Sequence, residues 1–474
     1  MLFTAGIFWV FFCVVALALF LNSRTVKSLT FQNITLLAAS YYFYGAWDWR
    51  FLGLIIFVTL TSYLSARVIH ESTGIKRKTA MWFSVIASMG VLCFFKYMNF
   101  FSAELQHLLT ALGVQASWPT LHILLPVGIS FYTFQSLTYT LDVYFKKMPP
   151  SPHLLRYATY IAFFPQLVAG PIERARALLP QFDSVQNYTL ENFVQGIRLI
   201  IFGLFLKAVI ADHLAPLTDE IFASYETQKG SVLFLGMLYF AGQIYADFCG
   251  YSTIAIGVAC IMGFRLMTNF ETPYLAGSLR EFWHRWHISL STFFKDYVYI
   301  PLGGSRGGEA KTIRNLIVTF TLSGLWHGAN WTFLFWGFMH GVALVLERVF
   351  APVAAHIPRI LKWVLGRVWM LAIVGIGWVF FRSVSFDDAL HYLTLMPQNF
   401  TMPESLRAGV LYLFILFVLD IIWHKDVRLT KITLVPFCKN LNLTLEALLL
   451  NIMLVFVLFS LIAGGNNAFI YFQF

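Results

Sequence analysis

Apolar runs close to twenty residues long recur along the whole chain. They lie at 3–21, 31–47, 51–69, 79–98, 123–141, 193–213, 231–249, 316–349, 369–382, 408–424 and 444–463. A hydrocarbon core about 30 Å thick is crossed by about 20 apolar residues in a helix. Lipid offers no partner to backbone N–H and C=O groups, so a segment that spans it must satisfy them within itself. The pattern therefore predicts an all-α polytopic membrane protein of about 10–12 spans, with residues 1–474 forming a single transmembrane domain. Run 316–349 is too long for one span and reads as a hairpin or a broken pair. Segment 154–170 is apolar but carries Pro165 and Gly170, with Pro171 next. It reads as re-entrant, walling a cavity, because irregular backbone at membrane depth has to be buried in protein or line one.

Composition agrees: the chain is 58% hydrophobic and 12% charged, whereas soluble domains carry about a quarter charged residues. The net charge of +10 is concentrated in loops. That is the mark of cytoplasmic loops and not of a nucleic-acid surface. Cys13, Cys93, Cys249, Cys260 and Cys438 lie in or beside apolar segments without a CxxC, and read as small buried hydrophobes, neither a disulfide framework nor a metal site. The first positive charges, Arg24 and Lys27, follow the first apolar run. This is the reverse of a signal peptide and predicts a retained first span.

Loop charge sets the orientation. Arg24 and Lys27, then Lys76, Arg77 and Lys78, then Lys146 and Lys147 mark alternate loops as cytoplasmic. Both termini are then expected outside the cytoplasm. Stretch 214–230 holds Asp219, Glu220 and Glu226 against Lys229 and fits the outside. Stretch 265–315 is the most basic and belongs inside. No internal repeat suggests the inverted halves of a transporter.

Within that basic stretch, residues 274–308 are too polar to span and too aromatic for a plain loop. They read as an amphipathic helix at the cytoplasmic membrane face. His284 and His287 are three apart and would share a helix face. The following LGGSRGG, with Arg306, offers backbone N–H groups to a phosphate, although a plain interfacial turn explains it equally well.

The sharpest feature is SGLWHGANW, Ser323 to Trp331, which puts His327 inside an apolar run. A polar ring there is costly and is usually kept for work. Four readings compete: a satisfied core histidine, a haem or metal ligand, part of an ion path with Lys207, Asp212 or Asp247, and a general base. No HxxxH or CxxCH supports the second. On one continuous helix His340 would lie about 220° around from His327, facing a different side.

Longer motifs favour the last reading. The chain resembles the membrane-bound O-acyltransferase family, and in particular its bacterial branch that O-acetylates envelope polysaccharides. The resemblance rests on LPVGISFYTFQSLTYTLDVY, FFPQLVAGPIERA, YADFCGYSTIAIGVACIMGFRLMTNFETPYLA, REFWHRWHISLSTFFKDYVYIPLGG, SGLWHGANWTFLFWG and WVFFRSVSFDDALHYL, in that order. It implies a ring of tilted helices with re-entrant segments around a central cavity. It implies an O-acetyltransferase with the catalytic histidine at His327 and a second family position at His287. Trp326, Asn330, His284, Arg306, Gln135 and Asp247 become candidates for contact with substrate or donor, each also explicable as a packing or helix-linking residue. The implied donor is a cytoplasmic thioester such as acetyl-CoA, with no tightly bound cofactor and no metal. The implied acceptor is an exported polysaccharide, alginate-like or peptidoglycan, and the implied partner a periplasmic SGNH-type acetyltransferase in a bacterial inner membrane. A D-alanine-transferring branch is a related reading, against which the WVFFRS motif argues. A transporter or flippase using the same cavity is the alternative from another class.

Overall fold

The computed structural model describes residues 1, 3–114, 123–168, 170–403, 408–423, 445–462 and 469–470. Cys438 and the last four residues lie outside them. The described residues are helical, without a β-strand. Seven helical stretches are long and apolar enough to cross a membrane: Gly6–Arg24, Leu29–Glu71, Gly74–Ala111, Leu190–Ala223, Gly230–Ile261, Trp331–Ala354 and Arg359–Arg382. The protein is thus an all-α, multi-pass membrane protein. The sequence reading counted more spans because several apolar runs form shorter helices. Ile129–Tyr144 and Ala408–Trp423 have 16 residues each.

The residues group into two units. The first comprises Met1–Ile197 with Ala255–Met267, the second Arg198–Ile254 with Thr268–Phe474.

The first unit opens with α1 (Gly6–Arg24), α2 (Leu29–Asp48), α3 (Leu52–Glu71) and α4 (Gly74–Ala111). Helix α1 buries Phe8, Phe12, Val15 and Leu19 while exposing Ile7, Val10, Val14, Leu17 and Leu21. A helix apolar on every face is stable only where its outer solvent is lipid. Cys13 and Cys93 lie on such exposed surfaces, contrary to the expectation of burial in protein. Lipid is as apolar as a core, so the thiol needs no protein cover.

Helix α5 (Ile129–Tyr144) is the reverse, polar in sequence yet almost wholly buried. Its hydroxyls reach α4 through Ser84 Oγ and Thr140 Oγ1 at 2.9 Å and through Ser136 Oγ and Ser88 Oγ at 3.4 Å. Hydrogen bonds of this kind link helices where hydrophobic attraction cannot.

Segment 154–170 forms α6 (Leu154–Ala162), a kink at Phe163 and the single turn α7 (Phe164–Leu167). Nine residues of helix rise only about 14 Å, half a bilayer core. At the kink, Phe164 N–H donates to Ser40 Oγ of α2 at 3.1 Å. The same helix also holds a later turn, where Asn33 Nδ2 donates to Phe182 O at 3.1 Å. Gln166 Nε2 closes the turn on Tyr160 O at 2.9 Å. Beyond a further turn, α8 (Ala175–Leu178), the chain enters α9 (Leu190–Leu204).

In the second unit a π-helical turn, Phe205–Ala211, precedes α10 (Asp212–Ala223) and α11 (Gly230–Ile261) follows. After it come two short helices, α12 (Leu279–Arg285) and α13 (Ile288–Phe294), then a π-turn at Lys295–Tyr299 and the glycine loop. The hairpin of α14 (Glu309–His327) and α15 (Trp331–Ala354) leads to α16 (Arg359–Arg382), α17 (Phe386–Leu395), α18 (Ala408–Trp423) and α19 (Leu445–Ile462).

Candidate active site

Run 316–349 is a broken pair. Helix α14 stops at His327 because Gly328 is extended, with φ −162° and ψ 154°. Asn330 then caps α15, its Oδ1 accepting Thr332 N–H at 3.1 Å. Its Nδ2 donates to Val384 O at 2.9 Å, which ties the break to the end of α16. Asn330 is therefore placed as a structural cap at the turn.

Glycines set how closely the two arms approach. A Cβ on Gly324 would lie 2.2 Å from Phe333 O, and one on Gly337 2.2 Å from Phe320 O. The two backbones touch there, so His327 is carried by a rigid hairpin and not by a loop.

His327 is 3% exposed. Its ring packs edge-on to Trp326 at 4.9 Å, Trp336 at 5.0 Å and Phe381 at 5.3 Å. Trp326 also meets His287, with ring centroids 6.0 Å apart. The two histidines that the sequence singled out are thus brought together around one indole.

His287 reaches that position by a route the sequence did not suggest. It does not share a helix face with His284, because α12 ends at Arg285. His287 itself has φ +43° and stands just before α13. Left-handed backbone at a non-glycine residue persists only where its surroundings hold it. Here Ile288 N–H donates to Asn269 O at 2.9 Å and Glu271 N–H to Arg285 O at 2.9 Å. The reversal turns His287 inward to 1% exposure against Phe248, whose ring centroid is 4.6 Å away. His284 is left on the surface, with Nδ1 2.7 Å from Arg280 O. Burial pulls the His287 imidazole down to about 3, so the ring is neutral across physiological pH. Its Nε2 is buried without a hydrogen-bond partner among the described residues.

His340 belongs to the same aromatic cluster. Its ring lies 4.9 Å from Trp336 and 5.1 Å from Trp283. The expectation that His327 and His340 face different sides assumed one continuous helix. The break at Gly328 resets the phase, and Trp336 touches both rings. Sequence reasoning also missed Asn269. A single amide ahead of an aromatic stretch carries no periodic signal.

Asp247 forms a buried ion-pair network with Lys207 and Asp212, with both carboxylates 2.7 Å from Lys207 Nζ. Asp247 Oδ2 also accepts Ile470 N–H at 2.7 Å. Lys207 and Asp212 are five apart, and the π-turn Phe205–Ala211 between them brings them to one face, where an α-helix would separate them. Gln135 lies on α5 in the first unit, buried, its Oε1 without a partner among the described residues. Arg306 is exposed in the glycine loop. That loop does not present a phosphate cradle at Gly303, Gly304 and Arg306. Their N–H groups bond to Ile300 O, Tyr299 O and Gly303 O, and Asn315 Nδ2 holds Leu302 O and Gly304 O at 3.1 and 3.0 Å. Gly303, Gly304, Gly307 and Gly308 all have positive φ, so the glycines serve the turn itself.

Known proteins place this arrangement in context. Residues 78–385 match the model of MBOAT, the membrane-bound O-acyltransferase family. A probable alginate O-acetylase of Azotobacter vinelandii is 43% identical over 394 residues, covering 82% of this chain and 76% of that protein. A peptidoglycan O-acetyltransferase of Helicobacter pylori is 34% identical over 409 residues, covering 80% of this chain and 76% of its own. A teichoic acid D-alanyltransferase of Streptococcus thermophilus is 28% identical over 234 residues, 47% of this chain and 56% of the relative.

Proposed function

Because the chain belongs to the membrane-bound O-acyltransferase family and is an acyltransferase, we propose that it moves acetyl groups from a cytoplasmic thioester, acetyl-CoA, to an exported envelope polysaccharide, with His327 as general base. The observation that carries this reading is the pair of buried histidines, His327 and His287, around the Trp326 indole. The names of its relatives, an alginate O-acetylase and a peptidoglycan O-acetyltransferase, support the acyl group and the class of acceptor.

The acceptor hydroxyl gives its proton to the imidazole of His327 as its oxygen attacks the thioester carbonyl. The carbon–sulfur bond breaks, the leaving thiolate takes the proton, and the imidazole is neutral again. A positioned base of this kind is worth on the order of 10²–10⁴ in rate. Ring-lined burial suits the task because it excludes water that would hydrolyse the donor.

The protein acts in a bacterial inner membrane. Basic loops at 22–30, 70–79 and after 141 face the cytoplasm, and both termini face the other side. A central cavity through the helices lets the acetyl group reach the far face without the charged donor crossing. A periplasmic partner of the SGNH type works with it on the polymer at the far face.

The test is ester-linked acetate on envelope polymers, fractionated by polymer, in cells carrying the wild type, His327→Ala or His287→Ala at equal membrane levels. Loss of acetate from one polymer with His327→Ala supports the reading and names the acceptor. Unchanged acetate in every fraction, with the variant folded and present, refutes the base.

A further inference from the structure

The nearest hydrogen-bond partner of His287 is the Asn269 side chain, and the way Asn269 is itself held fixes which nitrogen of His287 carries the proton. Asn269 Oδ1 accepts the backbone N–H of Ser289 at 3.2 Å and the Ser289 hydroxyl at 2.9 Å. A backbone N–H is an obligatory donor, so the atom facing it is the carboxamide oxygen and not the nitrogen. The nitrogen points the other way and donates to Ser252 Oγ at 3.0 Å. The same oxygen lies 3.1 Å from His287 Nδ1. An oxygen already taking two hydrogen bonds has nothing to donate, so Nδ1 bears the hydrogen. The Ser289 hydroxyl, whose proton goes to Asn269, faces Nδ1 at 3.4 Å as a second acceptor.

In a neutral ring with hydrogen on Nδ1, Nε2 is a lone pair. It is also the atom left without a partner among the described residues, inside a wall of Phe248, Phe270 and Trp326 rings. A lone pair accepts a hydrogen bond and gives none. It cannot stabilise the oxygen of a thioester carbonyl as negative charge develops there, since that role belongs to a donor. It can take the hydrogen of a hydroxyl group.

We infer that Asn269 is a positioning residue that locks His287 in the Nδ1–H tautomer, so that His287 Nε2 receives a hydroxyl of the sugar acceptor and not the carbonyl of the acyl donor. This rests on the acetyl-transfer reading above and assigns the two histidines to the same partner: His327 takes the proton of the reacting hydroxyl, and His287 Nε2 accepts a hydrogen bond from a second hydroxyl of the same sugar, which orients it. Ser252 and Ser289 hold Asn269 from its two ends.

The experiment has two arms, so that failure of the lock and failure of the reaction are told apart. In the first, the full chain with ¹⁵N-histidine is reconstituted in lipid, and the His287 resonances are identified by their loss in His287→Gln. Solid-state ¹⁵N spectra should give a protonated Nδ1 and an unprotonated Nε2 for His287. Asn269→Leu should abolish that single tautomer. A wild-type ring protonated on Nε2 overturns the lock whatever the activity.

In the second arm, membrane vesicles containing each variant receive acetyl-CoA as the donor probe, and ester-linked acetate on polymer is followed. Asn269→Leu should slow transfer by about 10- to 100-fold, the order seen when the partner that orients a metal-bound histidine is lost. Asn269→Asp keeps the accepting oxygen, and the Ser252 hydroxyl can turn to donate to it, so this variant should recover most of the loss. Equal rates for Leu and Asp at equal protein levels overturn the assignment. Vesicles of the wild type that transfer no acetate overturn the function and the use made of the lock, while the spectra still decide the tautomer.

Discussion

His287 and His327 share one indole. Trp326 lies 6.0 Å from the first ring and 4.9 Å from the second, although the residues come from a backbone reversal and from a helix end forty positions later. Trp326 therefore sets the spacing of the pair. Trp326→Phe should retain most acetyl transfer, and Trp326→Ala should lose about 3–5 kcal/mol of packing at the site together with most of the activity. Ester-linked acetate per unit of folded protein checks this.

The α14–α15 hairpin should be sensitive to a single methyl. Gly324→Ala or Gly337→Ala puts a Cβ 2.2 Å from a carbonyl oxygen of the facing helix, so the arms must separate. Overpacking of this kind costs about 1–3 kcal/mol. Both variants should melt earlier in detergent, and the double variant should not simply add, because a Cβ on either glycine would lie 3.0 Å from the Cα of the other.

Lys207→Met should be among the most destabilising substitutions in the protein. It leaves Asp212 and Asp247 buried without their shared cation, and breaking a buried pair costs about 3–5 kcal/mol. Combining it with Asp212→Asn and Asp247→Asn should restore much of the loss. If the triple variant is no better than Lys207→Met in thermal unfolding, charge is not the cause.

Stability should fall as pH rises from about 4.5 to about 7. Glu173, 2% exposed in the loop before α8, has its carboxyl pushed by burial from 4.5 up to about 7, partly offset by the N–H of Met267. Between those values the folded state holds a proton that the unfolded chain has released, so the contribution is whole below the unfolded value and is lost through the folded one. Glu173→Gln should flatten this part of the profile in melting curves taken from pH 4 to 8.

The apolar helices were legible because a period of twenty apolar residues has few other meanings. Leu29–Asp48, Leu52–Glu71 and Trp331–Ala354 fall where hydropathy put them. The site was legible only in part. His327 stood out because a titratable ring in an apolar run is conspicuous, whereas periodicity misplaced His284 and His340 by assuming unbroken helices. The reversal at His287 depends on Asn269, eighteen residues earlier, and no local propensity encodes such a partner. The π-turn at Phe205–Ala211 was hidden too, since its residues are ordinary helix formers.

That π-turn bears on how the chain enters the membrane. Lys207 and Asp212 sit within one continuous helical stretch, Leu190–Ala223, and are in contact at 2.7 Å. Their charges can therefore cancel while this segment alone is leaving the translocon, before Gly230–Ile261 has been synthesised. Asp247 arrives with that next segment and shares the same cation, so Lys207 is already held by Asp212 when its second partner appears.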